Sequence, residues 1–392
     1  MNIGISTSVI QRGRSGVAQY VLALVRAFLP YAERHRFTLF VLEQDLPLFA
    51  FAERKMTRVT VPEQFRPPVK NIVWHQTRLP TLARHYRLDV LHVPSYRRML
   101  WPRPCPLVAT IHDLAPFHLA NKYDWKRMFY GRVVARILAL RQDAIIAVSQ
   151  HTRQDILRFF RFPAERLTMI YNGLDHARFF PGAREEAKAA IVQKHDLTQP
   201  FFLYVARLEH PTKNHARLIE AFNRFKDDTG SDWQLVLGGS DWNGAEVIHA
   251  LVRQSPFSRH IRCLGFVPDE ELPVWYRAAE VFVYPSSFEG FGMPPMEAMA
   301  CGCPVISSTR GSLGEVVGDA AVTIDPDDVN SLKREMVRLA TDEAARDRWR
   351  EAGLRRALCF NWDKTAAATM NVFARAAASR SRGRRGMEAI EN

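Results

Sequence analysis

VFVYPSSFEGFGMPPMEAMACGCPVISS, residues 281–308, is the stretch whose reading decides the fold. The apolar, β-rich run at 281–284 reads as a buried strand, and Pro285 with two serines ends it. Phe288-Glu289-Gly290-Phe291-Gly292 follows as a loop with two glycines. Pro294 and Pro295 suit the first turn of a helix, where a missing backbone N–H does no harm. That helix, expected over 295–300, stops at Gly302, and the chain from Pro304 reads as the next strand. A glycine loop entering a helix turns bare amides and the positive end of the helix dipole toward an anion. Glu289 lies in the loop and Glu297 eight residues later, in the first turns of the helix. Carboxylates beside an anion site would repel a phosphate, so their partners are neutral hydroxyls, such as the vicinal diol of a sugar or ribose. Phosphate and sugar side by side point to a sugar nucleotide.

Outward from that stretch, apolar runs alternate with helix-like segments along most of the 392 residues, which argues for parallel βα units in two domains. Residues 1–178 hold expected strands at 3–7, 37–42, 57–61, 90–94, 107–111, 144–148 and 167–171. A helix is expected at 17–29, and Ser149 is placed to cap another. Residues 179–199 read as the interdomain connection. A second alternation over 200–359 gives strands at 201–205, 234–237, 261–264, 281–284, 305–307 and 321–324, with helices at 214–227, 245–254, 269–279 and 295–300. The fold class is therefore α/β, two Rossmann-like doubly wound domains, whose ligands bind at the carboxyl ends of the strands. The tail, 379–392, has few apolar residues and is expected to be disordered.

Composition narrows the function classes. No apolar run reaches the ~18–20 residues needed to span a bilayer. The N-terminus opens directly on a strand with no basic leader, so a cytoplasmic protein is expected. Five cysteines form an odd, sparse set suited to a reducing compartment, and Cys301-Gly302-Cys303 reads as small residues at a helix end rather than a metal site. The net charge of +13 is uneven: residues 1–180 carry 27 Lys/Arg against 12 Asp/Glu, a net +15, and the remainder sums to −2. A basic first half fits an anionic partner on one face, or a solubilising arginine-rich surface.

Further candidates sit at other strand ends. Arg207 and Lys213, six apart on the loop after the 201–205 strand, can clamp a diphosphate as fork and point charge. No D-x-D stands at a strand end in a metal-binding setting, and Asp325-Pro326-Asp327-Asp328 reads as a turn before a helix. The two cations and the helix dipole are therefore expected to stabilise the leaving diphosphate with no metal and no cofactor. His112, in Thr110-Ile111-His112-Asp113, ends an apolar strand of the first domain, and Asp113 either assists it or caps the following turn. Gly13-x-x-Gly16 precedes the first helix, but it is not the G-x-G-x-x-G dinucleotide fingerprint. Finally, residues 122–136 mix aromatic and cationic residues at helical spacing and, with Tyr96-Arg97-Arg98 and Trp101, form either an interfacial patch for an anionic membrane or an ordinary helix with basic residues outward. The aromatics are not arranged as stacking platforms, so no nucleic-acid partner is expected.

The segments EGFGMPPMEAMACGCPVISS and RGSLGEVVGDAA, with Glu289 and Glu297 separated by seven residues, resemble the signature region of the retaining GT-B glycosyltransferases of family GT4. The resemblance implies an active site between two domains and a last helix, 360–378, returning to the first. It also implies roles: Arg207 and Lys213 on the donor diphosphate, Glu297 on the ribose, Glu289 on the transferred sugar, and His112 near donor sugar and acceptor. The backbone of Gly290, Phe291 and Gly292 would lie against sugar and phosphate, that of Gly16 would approach the donor, and the loop Gly265-Phe266-Val267-Pro268 would read the base through Val267. The implied partners are a nucleotide-sugar donor, leaning to GDP-mannose with UDP-sugars open, and a glycan or polyprenyl-diphosphate-linked acceptor in polysaccharide or lipopolysaccharide synthesis. Peripheral association with the inner membrane stays open. A nucleotide-sugar epimerase on the same fold, or a binding protein with a decayed site, are the readings from other classes; the second would be expected to have lost one of the four charged residues.

Overall fold

The computed structural model describes residues 1–13, 15–119 and 125–388. They divide into two compact units, one of Met1–Gly173 with the segment from Trp362 onward, the other Leu174–Asn361. The first is built on a parallel sheet of seven strands, β1 Asn2–Ser6, β2 Arg36–Leu42, β3 Thr57–Val61, β4 Val90–Val93, β5 Leu107–Ile111, β6 Ala144–Ala147 and β7 Leu167–Met169. Their order is β3-β2-β1-β4-β5-β6-β7. The second has six, β8 Phe201–Val205, β9 Gln234–Gly238, β10 Ile261–Gly265, β11 Val281–Tyr284, β12 Val305–Ser308 and β13 Val322–Ile324, in the order β10-β9-β8-β11-β12-β13. Each sheet reverses direction of winding once, between β1 and β4 and between β8 and β11. In such sheets the crevice at that reversal, beyond the carboxyl ends of the strands, is where ligands sit. The expected GT-B class, two doubly wound α/β units, is the architecture observed.

All thirteen expected strands are present, with ends displaced by no more than two residues. Strands buried on both faces must be nearly continuous in β-branched and aromatic residues, and that pattern is what the sequence shows. The helix Pro68–His85, which has Pro80 inside it, was not among the expected elements. Proline inside a helix costs roughly 3 kcal/mol, and burial of Trp74, Leu79 and Ala83 against the sheet outweighs that penalty.

Two expectations of organisation need correction. Residues 179–199 are not a free connection: they contain the helix Arg184–His195, which buries Ala187 and Ile191. Arg184 and Lys188 of that helix also pair with Glu280 at 2.5 and 3.2 Å, which ties it into the second unit. The last helix begins at Trp362 and runs to Glu388, ten residues into the stretch expected to be disordered; residues 389–392 lie outside the described residues. It belongs to the first unit, as expected for a returning helix. Phe373 packs 5.9 Å from Phe28, Trp362 lies edge-on to Tyr20 at 5.7 Å, and Thr365 Oγ1 donates to the Tyr171 carbonyl at 2.8 Å.

Candidate active site

The two strands at the reversal of the second sheet, β8 and β11, each carry a tyrosine near the carboxyl end. The rings of Tyr204 and Tyr284 meet edge-on at 5.4 Å and form the floor of the site. Tyr204 Oη donates to the Lys213 carbonyl at 2.6 Å, and Tyr284 Oη donates to Glu289 Oε1 at 2.9 Å. Above them Lys213 Nζ and Glu289 Oε1 form an ion pair at 2.5 Å, with side chains only 14% and 16% exposed. Burial by itself would raise the Glu289 carboxyl, but the Lys213 ammonium and hydrogen bonds from Lys213, Ser286 and Tyr284 hold it below the ordinary carboxylate range. Glu289 is therefore an anion at neutral pH, with its side chain largely turned away from solvent.

The loops that present this pair are locked to one another. Asn214, directly after Lys213, adopts a left-handed backbone (φ +60°), which asparagine tolerates better than most residues. Its buried Nδ2 donates to the Pro285 carbonyl after β11 at 3.0 Å and to the Pro326 carbonyl after β13 at 2.7 Å. One side chain thus ties together three strand-end loops. Ser312, in the loop after β12, donates from both N and Oγ to the Glu289 carbonyl at 3.1 Å. Sequence reasoning missed Asn214, Ser312 and the two tyrosines, because their partners are distant in the chain. Replacing Asn214 by glycine, which keeps the backbone conformation, is expected to cost ~2 kcal/mol by orphaning two buried carbonyls. Alanine should cost ~1 kcal/mol more through left-handed strain. Thermal unfolding checks both, and a glycine variant as stable as the parent would remove the clamp.

The helix Met293–Ala300 starts two residues before the expected 295, with Pro294 and Pro295 in its first turn and Gly292 as its N-cap at φ +98°. A β-carbon at Gly292 would come within 2.5 Å of Leu313 Cδ2, so glycine is needed for space as well as conformation. Phe291 is buried with its ring edge-on to Phe360 at 5.9 Å, so only its backbone can serve a ligand. Glu297, on the second turn, accepts from Tyr276 Oη at 2.9 Å. Burial pushes its carboxyl up to about 7, against the pull of Tyr276 and of the Arg178 charge. The two glutamates of the signature are thus held in opposite states: one fixed as an anion by a lysine, the other poised to change charge.

The structure brings Lys213 and Glu289 together but gives Arg207 different neighbours. Arg207 is half-exposed, 3.4 Å from Glu209 Oε2, with its guanidinium 4.7 Å above the exposed Trp242 ring. Val267 is buried and turned toward Gly238, leaving only its backbone for a base, while the preceding Phe266 is exposed.

His112 and Gly16 belong to the first unit. Burial pushes the His112 ring down to about 4, so it is neutral at pH 7. One ring nitrogen donates to the Pro94 carbonyl, which places the proton on Nδ1 and leaves the buried Nε2 as a lone-pair acceptor without a hydrogen-bond partner. Tyr20 fixes the ring edge-on at 4.6 Å. Asp113 Oδ1 accepts from Ala115 N at 2.9 Å, so it caps the turn. The glycine expectation shifts: Gly13 holds the left-handed conformation (φ +81°), whereas Gly16 is an ordinary first residue of the helix Gly16–Ala27 with open space where a β-carbon would stand.

Among the described residues, one His/Asp group has donor atoms close enough to share a metal ion: His118, His151 and Asp155 of the first unit. Its 2.6 Å hydrogen bond between His118 and Asp155 accounts for that arrangement without an ion. Asp325 and Asp327 instead pair with Arg310, and Asp328 caps the helix Val329–Thr341, as the turn reading expected. No described helix is long and apolar enough to cross a membrane.

Comparison with known proteins agrees with this geometry. The family described as glycosyl transferases group 1 matches residues 185–356, and Glycosyltransferase Family 4 matches residues 14–178. The chain is 33% identical over 300 residues to the O-antigen chain mannosyltransferase B of Escherichia coli, covering 76% of this chain and 77% of that one. In fold it is similar to the sucrose-phosphate synthase of Thermosynechococcus elongatus, with a TM-score of 0.78 at 22% identity over 97% of this chain and 100% of that one. It is likewise similar to Anabaena HepE in complex with UDP and glucose, with a TM-score of 0.75 at 19% identity over 95% and 99% of the two chains. The alternation of βα units, the strand-end pair Lys213–Glu289 and both family matches converge: the chain belongs to family 4 of the glycosyltransferases and is a glycosyltransferase.

Proposed function

We propose that the protein is a retaining, metal-independent mannosyltransferase that takes mannose from GDP-mannose and extends a cell-surface polysaccharide, on a glycan or polyprenyl-diphosphate-linked acceptor. The observation that carries the reading is the Lys213–Glu289 pair at the sheet reversal, beside the Gly290–Gly292 loop. The mannosyl donor follows from similarity to the O-antigen chain mannosyltransferase B. Lys213 has three N–H donors, so it can keep one on Glu289 and turn others to a phosphate. With Arg207 and the helix start at Met293, it supplies the positive charge a leaving diphosphate needs. Glu289 accepts hydroxyls of the transferred sugar, Glu297 those of the ribose, and neutral His112 accepts a further sugar hydroxyl at Nε2.

Glu289 is engaged by Lys213 and Tyr284 and serves as a hydrogen-bond acceptor rather than a nucleophile. The anomeric carbon–phosphate oxygen bond breaks with its electron pair leaving on the diphosphate. The acceptor hydroxyl attacks from the same face, and its proton passes to the departing phosphate oxygen.

Thermal-shift titration with GDP, UDP, ADP and their sugars tests the reading. GDP compounds are expected to stabilise most, by ~3 kcal/mol at a hundredfold excess over Kd. A larger shift with UDP-glucose would favour the glucosyl reading, donor turnover without acceptor the epimerase, and no shift with any nucleotide would overturn the site. Two hydroxyl donors favour the carboxylate form of Glu297, so nucleotide affinity should rise as pH passes through about 7 and then level off. In Glu297→Gln that rise should vanish. The folded carboxyl lies above its ordinary 4.5, so its contribution to stability is full below that value and is lost as pH rises through about 7.

A further inference from the structure

The helical run over 125–139 has two apolar faces where a surface helix needs one. It is built of Trp125–Phe129, a π turn Tyr130–Val134, and Ala135–Ala139. One face, Met128, Gly131, Ala135, Leu138 and Ala139, is buried against the first unit. Arg132 Nε, donating to the Pro116 carbonyl at 2.8 Å, and Tyr130 Oη, donating to the Arg97 carbonyl at 3.0 Å, hold the run in place. The other face carries Trp125, Phe129, Val133, Ile137 and Leu140, which are 73%, 56%, 42%, 46% and 47% exposed. These follow one another at four, four, four and three residues, a continuous helical stripe. The half-exposed Trp101 extends the stripe, with Arg141 4.2 Å above its ring.

Such a stripe is costly to leave in water, and folding does not cover it. Its surroundings say what does. Residues 125–142 contain five Lys/Arg and no Asp or Glu. Lys126, Arg127, Arg136 and Arg141 are exposed along the stripe, where long cationic side chains can lay their stems on apolar surface and their heads on phosphate. The ordinary alternative, a helix with basic residues outward over a single apolar face, is thereby set aside. Lys122, part of the patch recognised in the sequence, lies outside the described residues.

We infer that this face docks on the headgroup–acyl boundary of an anionic lipid bilayer, with the stripe sunk into the interface and the cations on lipid phosphates. Bulk apolar burial and charge neutralisation are both required, so binding is peripheral, reversible and salt-sensitive. The inference deepens the acceptor half of the proposed function: an enzyme extending a chain on a polyprenyl carrier gains from residence at the surface where the carrier lies. It rests on that reading for the carrier alone.

Flotation with phosphatidylcholine vesicles, with and without phosphatidylglycerol, tests it. The parent is expected to partition to the anionic vesicles ~10-fold or more over neutral ones, and to lose that preference at high salt. Phe129→Asp with Ile137→Asp should lower anionic partition at least ~10-fold, with circular dichroism and melting unchanged because both sites are exposed. Arg136→Glu with Arg141→Glu should do the same. Equal binding of parent and variants, or no vesicle binding at all, would overturn the docking; no vesicle binding together with self-association that Phe129→Asp abolishes would assign the face to a second copy instead. The nucleotide titration keeps the two readings apart: vesicle binding without any nucleotide shift removes the proposed reaction and leaves the docking standing.

Discussion

Lys213→Met and Glu289→Gln are each expected to cut transfer by ~10²-fold or more, since each removes a charge that the proposed function places where charge develops or where the sugar is gripped. Their stability effects should differ from their catalytic effects in an informative way. Lys213→Met leaves a mostly buried carboxylate without its cation. Full burial would make that loss ~3–5 kcal/mol; because the pair keeps some contact with solvent, ~2 kcal/mol is the expected figure. Glu289→Gln, which keeps the acceptor oxygen for Tyr284 and Lys213, should cost less. The double variant restores neutrality, so melting should recover part of the lost stability, while kcat stays at the level of the worse single variant.

The pH dependence follows with its sign. Glu289 is held below its ordinary range by Lys213, so its contribution is present above the unfolded value of about 4.5 and lost as pH falls through the folded value. In Lys213→Met burial is opposed only by the hydrogen bonds from Ser286 and Tyr284, so the carboxyl moves up and the acid-side loss of stability should weaken or reverse. Near-parental kcat in either single variant removes that residue from the chemistry. Recovery of kcat in the double variant would make the pair structural only.

The strands and the doubly wound class were legible because doubly buried parallel strands leave little freedom of composition: Phe201–Val205 and Val281–Tyr284 are apolar throughout, and their ends carry the loops that sequence motifs mark. What the sequence could not show is pairing across distance. Lys213 and Glu289 are 76 residues apart, and a list of charged loop residues does not say that one neutralises the other before any phosphate arrives. Tyr204 and Tyr284 read as two more strand residues until their hydroxyls are seen to face the site. Asn214 looked like a helix start, and only the folded loops reveal its double donation. The run over 125–139 is helical as its spacing suggested, but which of two surface readings held was left open by the sequence. Its apolar residues lie at two helical spacings at once, and periodicity alone cannot say which set faces the core. The glycine motif likewise named both Gly13 and Gly16, but only backbone angles separate the one that needs glycine from the one that does not.

Gly311→Ala is expected to lower kcat by ~10-fold or more, through displacement of Glu289 by about an ångström, although Gly311 is given no substrate contact in the proposed function. Gly311 sits in the loop after β12 with φ +63°, and a β-carbon there would stand 2.4 Å from the Glu289 carbonyl oxygen and 3.0 Å from its nitrogen. Both are backbone atoms of the residue proposed to grip the sugar, so no side-chain rotation can relieve the clash. The peptide of Glu289 must move, and with it the hydrogen bonds from Ser312 N and Oγ, each 3.1 Å long. Left-handed strain alone also penalises alanine, by ~1–2 kcal/mol, and that contribution must be separated. Gly230, at the end of the helix His215–Thr229, provides the control: φ is +59° and nothing lies within 4 Å of the missing β-carbon. Gly230→Ala should therefore lose the strain energy on melting and keep full kcat. The excess of Gly311→Ala over Gly230→Ala, in both melting and kcat, measures the close approach to Glu289. Equal losses in the two variants would mean that the loop yields without moving the carboxylate, and Glu289 would then owe its position to Lys213 and Tyr284 rather than to the contact between the loops after β11 and β12.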